Sequence, residues 1–131
     1  MIFLDTSAVY ALADRDDRNH ETAVRAFTSA LQRQEEFLLH NYVIVESTAL
    51  LHRRLGWGAA RQFVQDAAAF RVTWVDETLH REAVRRWQRR RGRVSLVDQV
   101  SFLIMGHHGI RTFLGFDDDF TREGFEFWRA P

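Results

Sequence analysis

Four carboxylates, Asp5, Glu46, Asp98 and Asp117, interrupt or close apolar stretches of this chain where core residues or the ends of buried strands are expected. Asp5 closes the run Ile2-Phe3-Leu4 and opens Asp5-Thr6-Ser7-Ala8, and Asp117 closes Thr112-Phe113-Leu114-Gly115-Phe116. In open α/β sheets ligands bind beyond the carboxyl ends of strands, so both acids stand where chemistry is usual. Glu46 and Asp98 lie in helical patterns. A fold that gathers the four builds a divalent-cation site.

Each acid also has a plainer explanation. Asp5 can be the N-cap of the helix that follows it. Glu46 has the apolar residues Tyr42, Val43, Ala49 and Leu50 three and four positions away, so it is expected to be buried. An unpaired buried carboxylate costs several kcal/mol, which makes a cation, an arginine or a proton its required partner. Ser95-Leu96-Val97-Asp98 fits a capping box with the acid at the third helical position, a place where the helix dipole holds it anionic and still within reach of a metal. Asp117-Asp118-Asp119 can be a solvated turn, its first member being the best placed for chemistry.

Other chemistry has less behind it. With no cysteine, the chain cannot carry disulfides, thiolate nucleophiles or cysteine-based metal sites. His107 and His108 are adjacent on a helix and point apart, and His20, His40, His52 and His80 lack ligand spacing. The hydroxyl of Thr6 or Ser7 could steady a water in an Asp5 site. All eighteen basic residues are arginine. Lysine-dependent phosphate chemistry, including P-loops, receiver domains and haloacid-dehalogenase-type phosphatases, therefore lacks its partner. Trp57, Trp74, Trp87 and Trp128 read as core or interface, because nothing spaces them for stacking on bases.

The elements that must position these acids follow from hydrophobic periodicity. At 131 residues, 46% hydrophobic and 27% charged, with one proline and isolated glycines, the chain reads as a single domain over 1–131. The N-terminus lacks the basic flank and long apolar region of a signal peptide, no run is long enough to span a bilayer, and a cytoplasmic location is the natural expectation. Strands are predicted at 1–5, 37–39, 71–75 and 111–116, with a short edge strand over 125–128. Helices are predicted from Asp5 or Thr6 to Ala13, over 20–33 with Asn19 as cap, over 42–55 with Asn41 as cap and a left-handed Gly56 as stop, and over 58–69, 76–91 and 95–108. Strands separated by helices give an α/β fold, a three-layer α/β/α sandwich with a mostly parallel sheet. Net charge is +0, yet Arg81, Arg85, Arg86, Arg89, Arg90, Arg91 and Arg93 crowd one amphipathic helix and its end.

Taken together, Phe3-Leu4-Asp5-Thr6-Ser7-Ala8, Val45-Glu46-Ser47, Ser95-Leu96-Val97-Asp98-Gln99-Val100-Ser101-Phe102 and the stretch from Gly109-Ile110 through Gly115-Phe116-Asp117-Asp118-Asp119-Phe120 to Gly124-Phe125 resemble a PIN-domain ribonuclease, and among those a VapC-like toxin of a type II toxin–antitoxin system. The similarity covers nearly the whole chain. It places Asp5, Glu46, Asp98 and Asp117 on the acidic metal-binding quartet, with Asp119 outside it. Many members carry threonine, serine or asparagine before the fourth acid, where this chain has Phe116.

The resemblance implies a metal-dependent endoribonuclease. Carboxylates 4 Å apart repel by about 4 kcal/mol per pair at an effective dielectric near 20, so the metal-free pocket is expected to be strained or partly protonated. Hard oxygen donors select Mg2+, with Mn2+ as the alternative, and the ion acidifies a water and aligns it with a phosphodiester. Asp5 and Asp98 would bind the principal ion, Asp117 complete its shell, and Glu46 orient the water or help hold a second ion. The arginines of 81–93 would contact the RNA backbone. The resemblance further implies a homodimer and a cognate antitoxin protein that inserts a basic side chain among the acids. A PIN-type nuclease of RNA processing or decay outside a toxin system, and a catalytically silent PIN-like binding module, are the alternatives.

Overall fold

Short apolar strands alternate with helices, and pairing them in parallel requires each connection to cross over a sheet face. The computed structural model describes residues 1–131. Strands β1 (Ile2–Leu4), β2 (Phe37–His40), β3 (Arg71–Thr73), β4 (Thr112–Leu114) and β5 (Glu126–Phe127) form one sheet in the order β3-β2-β1-β4-β5. Every neighbouring pair is parallel. Helices α1 (Thr6–Ala13), α2 (His20–Gln32), α3 (Asn41–Leu55), α4 (Trp57–Ala67), α5 (Glu77–Arg89), α6 (Leu96–His108) and α7 (Asp118–Arg122) flank it in an α/β/α arrangement. None is long and apolar enough to cross a membrane.

From β1 the chain builds outward through β2 to β3, then returns to place β4 on the other side of β1. Strand order therefore reverses between β1 and β4, the switch point at which such sheets open a crevice beyond their carboxyl ends. Asp5 and Asp117 follow these two strands, whose register pairs Phe3 with Phe113 and Leu4 with Leu114.

Ile2, Phe3 and Leu4 are buried throughout, as a central parallel strand covered on both faces must be. Phe120 of α7 is also buried, 4.9 Å from the ring of Phe113 and 5.9 Å from that of Phe3. This aromatic cluster pins the acidic turn 117–119 onto the sheet. In α6 the unbroken stretch from Asp98 to Met105 is buried, so the helix that carries Asp98 runs through the interior.

Two expected caps differ. Asn41 is the first residue of α3, and the cap is His40, whose Nδ1 accepts from the Val43 N–H at 3.3 Å while Nε2 meets Ser101 Oγ at 2.9 Å. Burial pulls His40 down to about 3, so the ring is neutral and can accept. Asn41 Oδ1 instead accepts from the Val75 N–H at 2.7 Å, fixing the exit from β3. Asn19, at φ −98° and ψ 3°, lies outside the extended backbone a capping side chain needs and makes no cap bond, while its backbone N–H donates to Asp17 Oδ1 in the turn before α2. Gly56, at φ 96° and ψ 177°, has the positive φ expected of it but lies outside the left-handed helical region; Gly109, at φ 65° and ψ 26°, is the true left-handed stop.

Candidate metal centre

Asp5 caps α1 and is buried, its Oδ2 accepting from the Ser7 N–H at 3.3 Å and from Ser7 Oγ at 2.7 Å. Ser7 Oγ in turn accepts from the Phe116 N–H at 2.8 Å. One hydroxyl thus straps the end of β1 to the segment leaving β4. It also supplies a polar contact at Phe116, whose own side chain packs near Phe127 at 5.9 Å. Gly115 makes this closeness possible, since a Cβ there would stand 2.9 Å from Asp5 Cβ and 3.2 Å from its Oδ2. Burial pushes Asp5 up to about 6 against the hydrogen bonds from Ser7 and Thr6, and the Asp117 charge adds to the rise.

Asp98 lies in the first turn of α6, its N–H donating to Ser95 Oγ at 3.1 Å. The cap is real, but the Asp98 carboxylate does not complete a box; it faces the other acids. Burial, then the charge of Asp5, contact with Asp117 and the charges of Asp117 and Glu46 push Asp98 up to about 9. One carboxylate oxygen each from Asp98, Asp117 and Asp119 lies within 4.8 Å of the others. Asp117 caps α7 by accepting from the Asp119 N–H at 2.9 Å, which turns both acids back toward the crevice. Asp119, left outside the quartet by sequence, therefore joins Asp98 and Asp117. Its position two residues beyond a strand-end cap is the signal for it.

Glu46 is exposed, contrary to the expected burial. The buried face of α3 runs through Val43, Ser47 and Leu51 at a spacing of four, and Glu46 stands one position off it. Val45 and Ala49 are exposed as well, so the apolar residues around Glu46 do not all mark an interior. Glu46 nonetheless contributes, as the smallest of the causes, to the field that raises Asp98.

No cation of the chain pairs with Asp5, Glu46, Asp98 or Asp117; the one ion pair in the cluster is Arg122 with Asp119, at 3.0 Å. Thr6 Oγ1, beside Asp5, is buried without a hydrogen-bond partner. Converging hard oxygen donors, two carboxyls forced toward their protonated forms and a spare hydroxyl fit a divalent cation.

The arginine-rich segment adjoins this cluster and is only partly solvated. Arg86 donates to Glu123 Oε1 at 2.6 Å and to Gln99 Oε1 at 2.9 Å, and Arg90 donates to both Glu123 oxygens at 2.7 and 3.2 Å. Nothing in the local residue pattern foretells this network. Of the four tryptophans, Trp128 is buried, whereas Trp57 and Trp74 are largely exposed.

A family model for the PIN domain matches residues 2–126. The 23S rRNA-specific endonuclease VapC20 of Mycobacterium tuberculosis, in strains CDC 1551 / Oshkosh and ATCC 25618 / H37Rv, is 36% identical over 132 aligned positions covering 95% of each chain. The crystal structure of Mycobacterium tuberculosis VapC20, described as a Sarcin-Ricin loop cleaving toxin, superposes with a TM-score of 0.85 at 33% identity, covering 95% of this chain and 96% of that one. The acids at the β1–β4 switch point and a match across nearly the whole length agree: this chain belongs to the PIN domain family.

Proposed function

We propose that the chain is a Mg2+-dependent endoribonuclease, the toxin of a VapBC-type pair, acting on structured RNA of the kind its VapC20 relatives cleave. The observation that carries this reading is the gathering of Asp98, Asp117 and Asp119, with Asp5 near enough to share their field and no cation of the chain paired with Asp5, Asp98 or Asp117. Asp5, Asp98 and Asp117, joined by Asp119, would hold the ion, and Mn2+ suits the same donors. Bound there, it supplies Lewis-acid charge to the phosphate and an acidified water.

The chain's own residues do the rest. Ser7 and Gly115 fix the Asp5 carboxylate. Glu46, which is exposed, accepts a hydrogen bond from the attacking water and takes up its proton. Water adds to phosphorus, the bond to the 3′ oxygen breaks and that oxygen takes a proton from solvent, so the products carry a 5′ phosphate and a 3′ hydroxyl. The resemblance adds a homodimer and a cognate antitoxin, whose basic side chain would pair with the same acids.

The test is cleavage of 23S rRNA and of a sarcin–ricin-loop oligonucleotide with Mg2+, Mn2+ or EDTA, by wild type and Asp98→Asn, with end mapping of the products. Metal-dependent cuts that vanish in the variant are expected. Cleavage that persists in EDTA or in Asp98→Asn would overturn the assignment.

A further inference from the structure

Seven arginines between 81 and 93 are not equivalent. Arg81 is paired with Glu77, and Arg86 and Arg90 are held on Glu123. Arg89, Arg91 and Arg93 are exposed and form no ion pair, and all three line a cleft of about 580 Å³ that also includes Asp119 of the carboxylate cluster. Three unpaired guanidinium groups therefore share a cleft with Asp119, whose ion-pair partner Arg122 lines it too.

The turn that carries them is strained. After Arg90 the helix stops in a Schellman arrangement, with Gly92 N–H donating to the Trp87 carbonyl and Arg91 N–H to the Gln88 carbonyl, each at 3.0 Å. That motif places its left-handed residue at 91, where glycine is favoured, yet this chain has arginine there at φ 54°. Gly92 follows at φ 70° with its backbone against Trp87. Gln34 closes α2 in the same arrangement at φ 60°, so the strain by itself assigns no role to Arg91; its place in the cleft does. Guanidinium forks match phosphate oxygens in geometry and charge, and the adjoining acids suit chemistry on a phosphodiester.

We propose that Arg89, Arg91 and Arg93 form a phosphate-binding arm for the RNA strand beside the scissile bond, on a base fixed by Arg86, Arg90 and Glu123. This rests on the ribonuclease reading above and adds which cations meet the substrate. The arm presents its charge without an ion pair to break, so it acts on binding and its salt dependence more than on the chemical step.

The experiment measures affinity of the full-length chain, in an Asp98→Asn background, for a labelled sarcin–ricin-loop oligonucleotide across a salt series. Arg91→Gly should raise Tm by a few degrees and weaken binding several-fold, because it relieves the turn and removes a guanidinium from the RNA backbone. The triple variant Arg89→Ala/Arg91→Gly/Arg93→Ala should lose on the order of 100-fold or more at moderate salt, with the slope of log K against log salt shallower by roughly 0.7 for each phosphate no longer neutralised. Arg61→Ala, an exposed arginine on α4, controls for net charge. Wild type that cleaves with Mg2+ beside a triple variant with unchanged affinity and slope overturns the arm and leaves the ribonuclease reading standing. Loss of antitoxin binding with RNA binding intact overturns it too, and assigns the cleft to protein. Wild type that neither binds nor cleaves RNA overturns both.

Discussion

Arg86 and Glu123 meet at 2.6 Å, half-buried, and Arg86 also reaches Gln99, the residue after Asp98. Glu123 is the C-cap of the helix whose first turn holds Asp119. One guanidinium therefore ties together the two elements that carry Asp98 and the acids of 117–119. Arg86→Ala leaves Glu123 with a single partner and strips the Gln99 carbonyl, so a loss of about 2 kcal/mol is expected, together with weaker Mg2+ binding. Arg90, more exposed, should cost under about 1 kcal/mol when replaced by alanine. Urea denaturation of both variants decides the ranking, and equal losses would remove Arg86 as the tie.

The crowded acids make stability depend on pH in a direction opposite to that of an ordinary salt-bridged carboxylate. Asp5 and Asp98 have folded values raised from 3.8 to about 6 and about 9. The folded state therefore keeps protons that the unfolded chain releases. Their contribution is fully present below 3.8 and is lost as pH rises through 6 for Asp5 and toward 9 for Asp98. In EDTA, Tm should fall between about pH 5 and pH 8, and Mg2+ should restore it by a margin that grows with pH. Asp98→Asn should flatten the EDTA profile. A metal-free Tm that rises over this window would show that the acids are not crowded.

Gly115 meets Asp5 so closely that the site constrains a backbone position outside it. Gly115→Ala would bring a Cβ within 2.9 Å of Asp5 Cβ, and neither atom lies at the end of a flexible side chain. A loss of about 1–3 kcal/mol is expected, with roughly tenfold weaker Mg2+ binding as Asp5 shifts. Gly58→Ala, on a helix with open space around it, should be neutral or stabilising by up to about 1 kcal/mol. Calorimetry of Mg2+ binding to the two variants separates a local clash from a general intolerance of alanine.

Asp5 and Asp117 could be placed from sequence because each ends an apolar run, and run ends are where parallel strands stop. Asp98 could be placed because Ser95 marks the helix start and fixes its turn. Glu46 misled because apolar neighbours at helical spacing do not say which of them the fold leaves outside; Val45 and Ala49 are exposed. Asp119 was obscured by two adjacent aspartates, since only the cap geometry of Asp117 shows which way the third one turns. The Arg86–Glu123–Gln99 tie spans three elements, and no local pattern announces an interaction of that range. The helix predicted over 76–91 ends at Arg89, because the chain turns at Arg91 before the glycine that would have marked the stop.

Exposure of Glu46 separates its two readings more sharply than burial would have. An exposed glutamate with no ion pair contributes little to the fold, so Glu46→Gln should change stability by less than about 0.5 kcal/mol. As the residue that takes the proton from the attacking water, it should cost about 100-fold or more in the rate of RNA cleavage, with oligonucleotide affinity retained. Removing one negative charge from the field at Asp98 should also ease deprotonation there, so Mg2+ binding should shift to slightly lower pH. Single-turnover cleavage and Mg2+ titrations across pH read these effects separately. Full-rate cleavage by Glu46→Gln would leave the glutamate an electrostatic bystander and pass the proton to another acceptor.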